Sequence, residues 1–392
     1  MRTIAVVTTS RADYSHLYWV LRELDASESI ELRLIVAGAH LSPAFGLTAR
    51  QIEADGFSID ARIECLLSSD TDVGMAKTIG AATLSLADTL GATRPDLLLL
   101  IADRYEMLAP AAVALALRIP VAHIEGGEVS EGAIDHAVRN ALTSMAHVHL
   151  APTAGAAARL ASMGEEPWRI HQVGAPSLDH LRRSALPDRE TLERELGMPL
   201  DPAPIVVATH PVTIARDTTR EAAALFGALE EVDRPVIFCF PNSDAGSHEL
   251  MQLATRYCEG RDRARLFVNL DPVIYWGLLQ NAGAMLGNSS SGIMEAPSLG
   301  LPVVNVGMRQ QGRERAANII DVEPTRAAIL TRLDEALSDE FRAGLSDVSN
   351  PYGDGDSGAR ITRILEGVPL GEELFVKRAM PVEMTPAAPA QS

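Results

Sequence analysis

PDLLLLIADRYE, residues 95–106, is the stretch that decides the fold of this chain. Its apolar run from Leu97 to Ala102 does not alternate with polar residues, which predicts a strand buried on both faces, as in a parallel sheet. The run ends in Asp103 and Arg104, an acid and a base where a parallel strand opens into a loop. Ligands of open α/β sheets bind beyond the carboxyl ends of the strands, so the stretch predicts both a fold class and a site.

A second acid follows the next predicted strand, residues 119–124. That strand runs into Glu125, two glycines and a helix start that carries Asp135 and Arg139. Ion pairs and helix caps at strand ends are the competing interpretation. Two successive strands that end in acids favour a shared site in which Asp103 and Glu125 converge on one crevice.

Strand and helix patterns alternate along the rest of the chain, which predicts two doubly wound Rossmann-like α/β domains that face a cleft. Further strands are predicted at 4–9, 31–37, 148–151, 205–208, 236–240, 264–268 and 301–306. We expect an N-terminal domain over residues 1–185, joined by a C-terminal helix at 357–378, and a second domain over 186–356. Residues 379–392 have no core pattern and are predicted to be a disordered tail.

Composition limits the partners of the chain. Its 392 residues carry a net charge of -18, which opposes nonspecific binding to nucleic acid or to an anionic membrane. No apolar run approaches the ~20 residues that span a bilayer, and the first strand begins almost at Met1, so we expect a cytoplasmic protein. Its three cysteines show no spacing typical of a metal site.

The second predicted domain carries its own ligand signal, GNSSSGIMEAP at 287–297. Small hydroxylated residues between a strand and a helix are typical of a phosphate or ribose site, and no Gly-Lys-Ser/Thr makes this a P-loop. Glu295 is placed to accept hydrogen bonds from a ribose diol or to complement the helix dipole. His210, at the end of strand 205–208, and Arg309 and Arg313, after strand 301–306, are predicted to face the same crevice.

Seven motifs together resemble the hydrolysing UDP-N-acetylglucosamine 2-epimerases, which make N-acetylmannosamine for sialic acid synthesis. They are SRADYS at 10–15, DRYE at 103–106, HIEGGE at 123–128, GAID at 132–135, HPVT at 210–213, GNSSSG at 287–292 and RQQGR at 309–313. The resemblance runs from about residue 3 to about residue 365 with the motifs in the family's order. It implies the type B glycosyltransferase fold, no cofactor or metal, and a homodimer or homotetramer.

The resemblance also implies a mechanism and residues for it. In the family, a base removes the proton at C2 while UDP leaves C1, and hydration of the resulting 2-acetamidoglucal gives the free manno sugar. The implied acids and bases are Asp103, Glu125 and Asp135, in an order left open, with His210 assisting the leaving diphosphate or a proton transfer. The implied UDP-sugar contacts are Arg11, Ser15, Arg104, Arg139, Asn242, Ser289, Ser290, Glu295, Arg309 and Arg313.

Two residues depart from the family pattern, and more than one function stays open. Ala102 stands where the family usually has Gly, and Asn140 stands where it usually has His. The GEVSEG segment at 127–132 also suits relatives that act on UDP-N,N'-diacetylbacillosamine for legionaminic acid synthesis. A glycosyltransferase of the same fold, a non-hydrolysing epimerase and a non-catalytic nucleotide-sugar binder are three further functions that such a chain could have.

Overall fold

Two parallel sheets alternating with helices form the protein. The structure is a computed structural model that describes residues 1–67, 69, 71–215, 217–240, 247–268, 270–378 and 380. Asn242 and, apart from Met380, the tail predicted at 379–392 lie outside the described residues.

The first sheet has seven parallel strands in the order β3-β2-β1-β4-β5-β6-β7. They are β1 (Arg2–Thr8), β2 (Ile30–Ala37), β3 (Ala61–Ile63), β4 (Leu97–Ile101), β5 (Val121–Ile124), β6 (Val148–Ala151) and β7 (Ile170–Gln172). All five residues of β4 are buried, as its unbroken apolar sequence predicts.

The second sheet has six strands in the order β10-β9-β8-β11-β12-β13. They are β8 (Ile205–Ala208), β9 (Val236–Phe240), β10 (Ala264–Val268), β11 (Ala284–Gly287), β12 (Val303–Val306) and β13 (Ile319–Val322). The strand order reverses between β1 and β4 in one sheet and between β8 and β11 in the other. The predicted doubly wound α/β class is therefore confirmed, and each sheet has a switch point where ligands of such sheets bind.

Sixteen α-helices lie in the described part of the chain. They are α1 (Arg11–Ala26), α2 (Ala49–Ala54), α3 (Asp72–Thr93), α4 (Leu108–Leu117), α5 (Asp135–Met145), α6 (Ala154–Ser162), α7 (Asp179–Arg183), α8 (Arg189–Leu196), α9 (Ala222–Leu229), α10 (Ser247–Cys258), α11 (Pro272–Gln280), α12 (Ser290–Met294), α13 (Arg326–Leu337), α14 (Asp339–Ala343), α15 (Ser357–Gly367) and α16 (Glu372–Phe375). In this part of the chain, none of them is long and apolar enough to cross a membrane.

The C-terminal segment returns to the first sheet. Helix α15 packs against α1, and its Ile361 and Leu365 belong to the core of that sheet. The helix predicted at 357–378 ends at Gly367, just before Pro369, a residue that cannot donate a helical hydrogen bond. Beyond it, the buried guanidinium of Arg169 donates to the backbone carbonyls of Glu373, Leu374 and Val376, which holds the end of the described chain on the first domain.

Candidate active site

Two adjoining cavities lie at the carboxyl ends of the strands, with walls drawn from both sheets. The acid cavity contains Asp103, Arg104, Glu125, Asp135 and Arg313 among its lining residues. The serine cavity contains Arg11, Ser15, His210, Ser289 and Glu295. Ser290 and Arg309 line both cavities. The structure thus brings together every predicted site residue that it describes except Arg139.

Strands β4 and β5 both end in a left-handed residue, which is Ala102 just before Asp103 in one case and the acid Glu125 itself in the other. The amide of Ala102 donates to the carbonyl of Ile124 (3.0 Å), and the amide of Glu125 donates to the carbonyl of Leu150 (3.0 Å). Each strand then ends in the left-handed region, with φ of 57° at Ala102 and 66° at Glu125. Such a conformation costs a non-glycine residue roughly 1–2 kcal/mol. Strain of this kind is characteristic of functional sites, and here it occurs at two neighbouring strand ends.

Arg139 lies behind Asp103 and lines neither cavity. Its guanidinium is fully buried and forms an ion pair with the Asp103 carboxylate. It also donates to Ser130 Oγ (3.1 Å) and to the carbonyl of Glu128 (3.1 Å). These contacts fix the orientation of Asp103, so the position of Arg139 suits a support for that acid better than a direct contact to substrate.

His16 is a site residue that the sequence does not predict. Its Nδ1 lies 3.2 Å from Glu125 Oε1 and its Nε2 lies 3.7 Å from Glu295 Oε1, so it connects acids from the two domains. It lines both cavities. Burial alone would lower its pKa, but the hydrogen bond and charge of Glu125 and the charge of Glu295 outweigh burial and raise the pKa of His16 to about 9. The same contact lowers the pKa of Glu125 against the opposing effect of burial, so the two form an ion pair at neutral pH.

The start of α1 is fixed by a capping box. Asp13 Oδ2 accepts hydrogen bonds from the amides of Thr9 and Ser10 (both 3.1 Å). Ser10 in turn caps the helix through the amide of Asp13. This first turn places Arg11 and Ser15, four residues apart on one helix face, on the serine cavity. Burial lowers the pKa of Arg11 to about 10, which still leaves it cationic at neutral pH.

Asn288, at the end of β11, organises the second sheet's side of the site. Its Oδ1 accepts from the His210 amide (2.7 Å), and its Nδ2 donates to the His210 carbonyl (3.0 Å). Its own carbonyl accepts from Arg309 Nη1 (3.1 Å) and Gln310 Nε2 (2.9 Å). The neighbouring Gly287 has φ of 137°, and a Cβ there would lie 2.2 Å from the Ala208 carbonyl oxygen. Asn288 belongs to the GNSSSG motif, but the motif alone does not predict this role.

Charged groups from both domains face each other across the acid cavity. Arg309 Nη2, from the second domain, lies 3.6 Å from Asp135 Oδ2, from the first. Within the first domain, Arg104 Nη2 donates to Glu106 Oε1 (2.8 Å). Burial, with the charges of Arg309 and Arg104, lowers the pKa of His210 well below its ordinary value, so its imidazole is neutral at pH 7. A neutral imidazole can accept a proton or donate a hydrogen bond, but it does not add to the positive charge of the arginines.

The Glu295 carboxylate at the serine cavity already has partners within the protein. Its Oε1 accepts a hydrogen bond from Ser177 Oγ (2.6 Å) in addition to its approach to His16. Within the described ranges, no group of three or more His, Cys, Asp or Glu side chains could hold a metal ion. The arrangement combines several carboxylates with a concentration of arginines, which suits proton transfer at carbon coupled to departure of an anionic group.

Most of the chain is similar to known proteins. Residues 22–366 match the family model described as UDP-N-acetylglucosamine 2-epimerase. A UDP-N,N'-diacetylbacillosamine 2-epimerase (hydrolyzing) of Legionella pneumophila is 38% identical over 96% of this chain and 99% of its own length. A GDP/UDP-N,N'-diacetylbacillosamine 2-epimerase (hydrolyzing) of Campylobacter jejuni is 35% identical over 82% of this chain and 84% of its own.

The fold is shared with solved structures. The structure of MnaA with UDP from S. aureus superposes with a TM-score of 0.78, at 18% identity, over 93% of this chain and 96% of that one. At this level of identity the likeness concerns the fold, and it agrees with the two facing domains expected from the sequence.

Proposed function

Because the chain belongs to the UDP-N-acetylglucosamine 2-epimerase family and is an enzyme that acts on a nucleotide sugar, we propose that it is a hydrolysing 2-epimerase. The reaction takes a UDP-2-acetamido sugar and water to UDP and the free sugar of inverted configuration at C2. One base and one acid on opposite faces of the ring are needed, because the proton leaves C2 from one face and returns to the other.

The reaction proceeds in two stages, elimination of UDP and then hydration of the glycal. A carboxylate removes the C2 proton while the C1–O bond breaks, so the electron pair of the C2–H bond forms the C1–C2 double bond of a glycal and UDP leaves. Water then adds at C1 while an acid returns a proton to C2. Asp103, Glu125 and Asp135 are the proposed acids and bases, and their convergence in one cavity is the observation that carries the proposal.

The serine cavity is proposed to hold UDP. Arg11, Ser15, Ser289 and Ser290 offer cationic and hydroxyl donors to phosphate oxygens. Arg104, Arg309 and Arg313 then stabilise the charge that develops on the departing diphosphate, and neutral His210 assists by donating a hydrogen bond or transferring a proton. Asn242 stays a predicted nucleotide contact, and Arg139 is proposed to hold Asp103 in place.

Two sugars are candidate substrates. UDP-N-acetylglucosamine is the substrate expected from the sequence motifs. UDP-N,N'-diacetylbacillosamine, which carries a second acetamido group at C4 and lacks the C6 hydroxyl, is the second candidate. The names of the Legionella and Campylobacter relatives favour this diacetamido sugar.

Proton NMR in deuterated water tests the reaction. The purified protein is incubated separately with each nucleotide sugar. We expect UDP and a free manno-configured sugar with deuterium at C2. A product that keeps its C2 proton, or an epimer that stays attached to UDP, would contradict a hydrolytic elimination.

We also propose that the protein is cytoplasmic and forms a homo-oligomer. The proposed interface between copies is the outer face of α3 and α4. These helices pack against each other, yet Leu84 is 75% exposed and Leu115 is 56% exposed. Exposed leucines on two helices that pack against each other suit an interface between copies of the chain. The net charge of -18 supports the absence of nucleic acid or anionic membrane partners.

A further inference from the structure

The acid cavity is not polar throughout. Met75 from the first turn of α3, Ala102 from the end of β4 and Ile134 just before α5 all line it, and all three are half-buried. We call these three residues the apolar wall. Their side chains have no hydrogen-bond donor and at most the weak thioether acceptor of Met75, so a sugar hydroxyl placed against them would lose its partners in water without adequate replacement.

Ala102 makes the wall unusual. A residue with φ of 57° is accommodated more easily as glycine, which has no Cβ to clash in the left-handed region. The chain nevertheless carries a methyl group at this strained position, next to Asp103 and on the cavity surface. A strained side chain at a ligand-facing position is expected where that side chain contributes to recognition.

An acetamido methyl at C2 is carried by both candidate sugars, so contact with it would not let the wall distinguish them. The three side chains of the wall come from three separate elements that line the same cavity. A hexose without a hydroxyl at C6 presents one more methyl group. That sugar fits the wall with apolar contact in place of an unsatisfied hydroxyl.

We propose that Met75, Ala102 and Ile134 determine sugar specificity by selecting a nucleotide sugar with a methyl group at C6. The assignment rests on the proposed function, since it concerns the sugar that the same site turns over. It makes the wall a selector of 6-deoxy sugars, distinct from the residues that move protons or bind UDP.

Three substrates separate the relevant positions of the sugar. They are UDP-N-acetylglucosamine, UDP-2-acetamido-2,6-dideoxyglucose, which differs from it only at C6, and UDP-N,N'-diacetylbacillosamine. Initial rates of UDP release give kcat/KM for each. We expect the wild-type protein to prefer both 6-deoxy substrates over UDP-N-acetylglucosamine by roughly 10- to 100-fold, the range typical of one group in an apolar pocket.

Two variants and a control test the wall itself. Met75→Gln adds a hydrogen-bonding group of similar length, and Ala102→Gly removes the methyl group while relieving the left-handed strain, so folding is not at risk. Both should lower the 6-deoxy preference by at least about five-fold. Val73→Gln, on the same turn of α3 but 57% exposed and outside the cavity, should leave the preference unchanged.

The outcomes are distinguishable. A wild-type protein that treats UDP-2-acetamido-2,6-dideoxyglucose no better than UDP-N-acetylglucosamine would overturn selection at C6, even if it preferred the diacetamido sugar. An unchanged preference in both wall variants would overturn the role of these residues. Failure to release UDP from all three substrates would instead overturn the proposed function.

Discussion

Asp103 lies between the buried guanidinium of Arg139 and the open volume of the acid cavity. Asp103→Asn keeps the shape of the side chain but removes its ability to take a proton. We expect turnover to fall by about 10³-fold, the loss typical of a general acid or base, with UDP affinity within a few-fold of wild type. UDP-release assays and calorimetric titration with UDP measure the two effects.

Asp334→Asn, an exposed acid on α13, is the matched control for that experiment and should keep wild-type rates. Wild-type turnover in Asp103→Asn would remove Asp103 from the mechanism. A large loss of UDP affinity would place it in nucleotide binding instead.

His16 predicts a pH dependence of stability. Its pKa is raised from 6.5 to about 9 in the folded protein, so its contribution to the free energy of unfolding is fully present below the lower value and is lost as pH rises through the upper one. The contribution is at most on the order of 3 kcal/mol. Urea unfolding between about pH 6 and pH 10 should therefore show stability falling more steeply in wild type than in His16→Gln. Parallel pH profiles would show that His16 is not held protonated by Glu125 and Glu295.

The sequence indicated the acids but not the histidine, for a physical reason. Asp103 and Glu125 follow unbroken apolar runs, and parallel strands must end at the same edge of the sheet, so their convergence could be predicted. His16 lies within a helix, and its partners come from β5 and from the second domain. Its sequence signal is its position four residues after Ala12, on the face of α1 that the cavities share.

At the scale of secondary structure elements, the loop after β5 depends on Gly127. Its φ is +82°, and a Cβ there would lie 2.3 Å from the carbonyl oxygen of Ala156 in α6. Gly127→Ala should therefore lower the free energy of unfolding by more than about 2 kcal/mol, from backbone strain together with overpacking.

Gly164 provides the matched control for this substitution. Its φ is +93°, but a Cβ there meets nothing within 4 Å, so Gly164→Ala should cost only the strain of about 1 kcal/mol. Chemical denaturation of both variants measures the difference. Equal losses would mean that α6 moves to accept the added methyl group.

The strands that the sequence did not predict all lie at the edges of the sheets. Strands β3, β7 and β13 were not predicted, and all three lie at the edge of a sheet. Edge strands are short and pack on fewer neighbours, so their sequences lack the continuous apolar run that identified β4, β8 and β9. Strand bounds inside the sheets differed from prediction by only a few residues.

At the scale of the whole molecule, assembly gives a direct test. If α3 and α4 form the proposed interface, Leu84→Glu places a charge in it and should shift the protein to a smaller species in sedimentation velocity. Met163→Glu, a 40% exposed position at the end of α6, is the control and should not change the species. The same sedimentation coefficient for wild type and Leu84→Glu would exclude this face as the interface.

The return of α15 to the first sheet means that the chain passes between the two sheets twice, once between β7 and β8 and once between β13 and α15. A domain attached by a single linker can swing and twist in any direction. A domain attached at two points rotates mainly about the axis that passes through the two linkers. Opening of the cleft for substrate entry and product release is therefore expected to follow one preferred path. The acids of the first domain and the serines of the second should return to the same relative positions at each turnover.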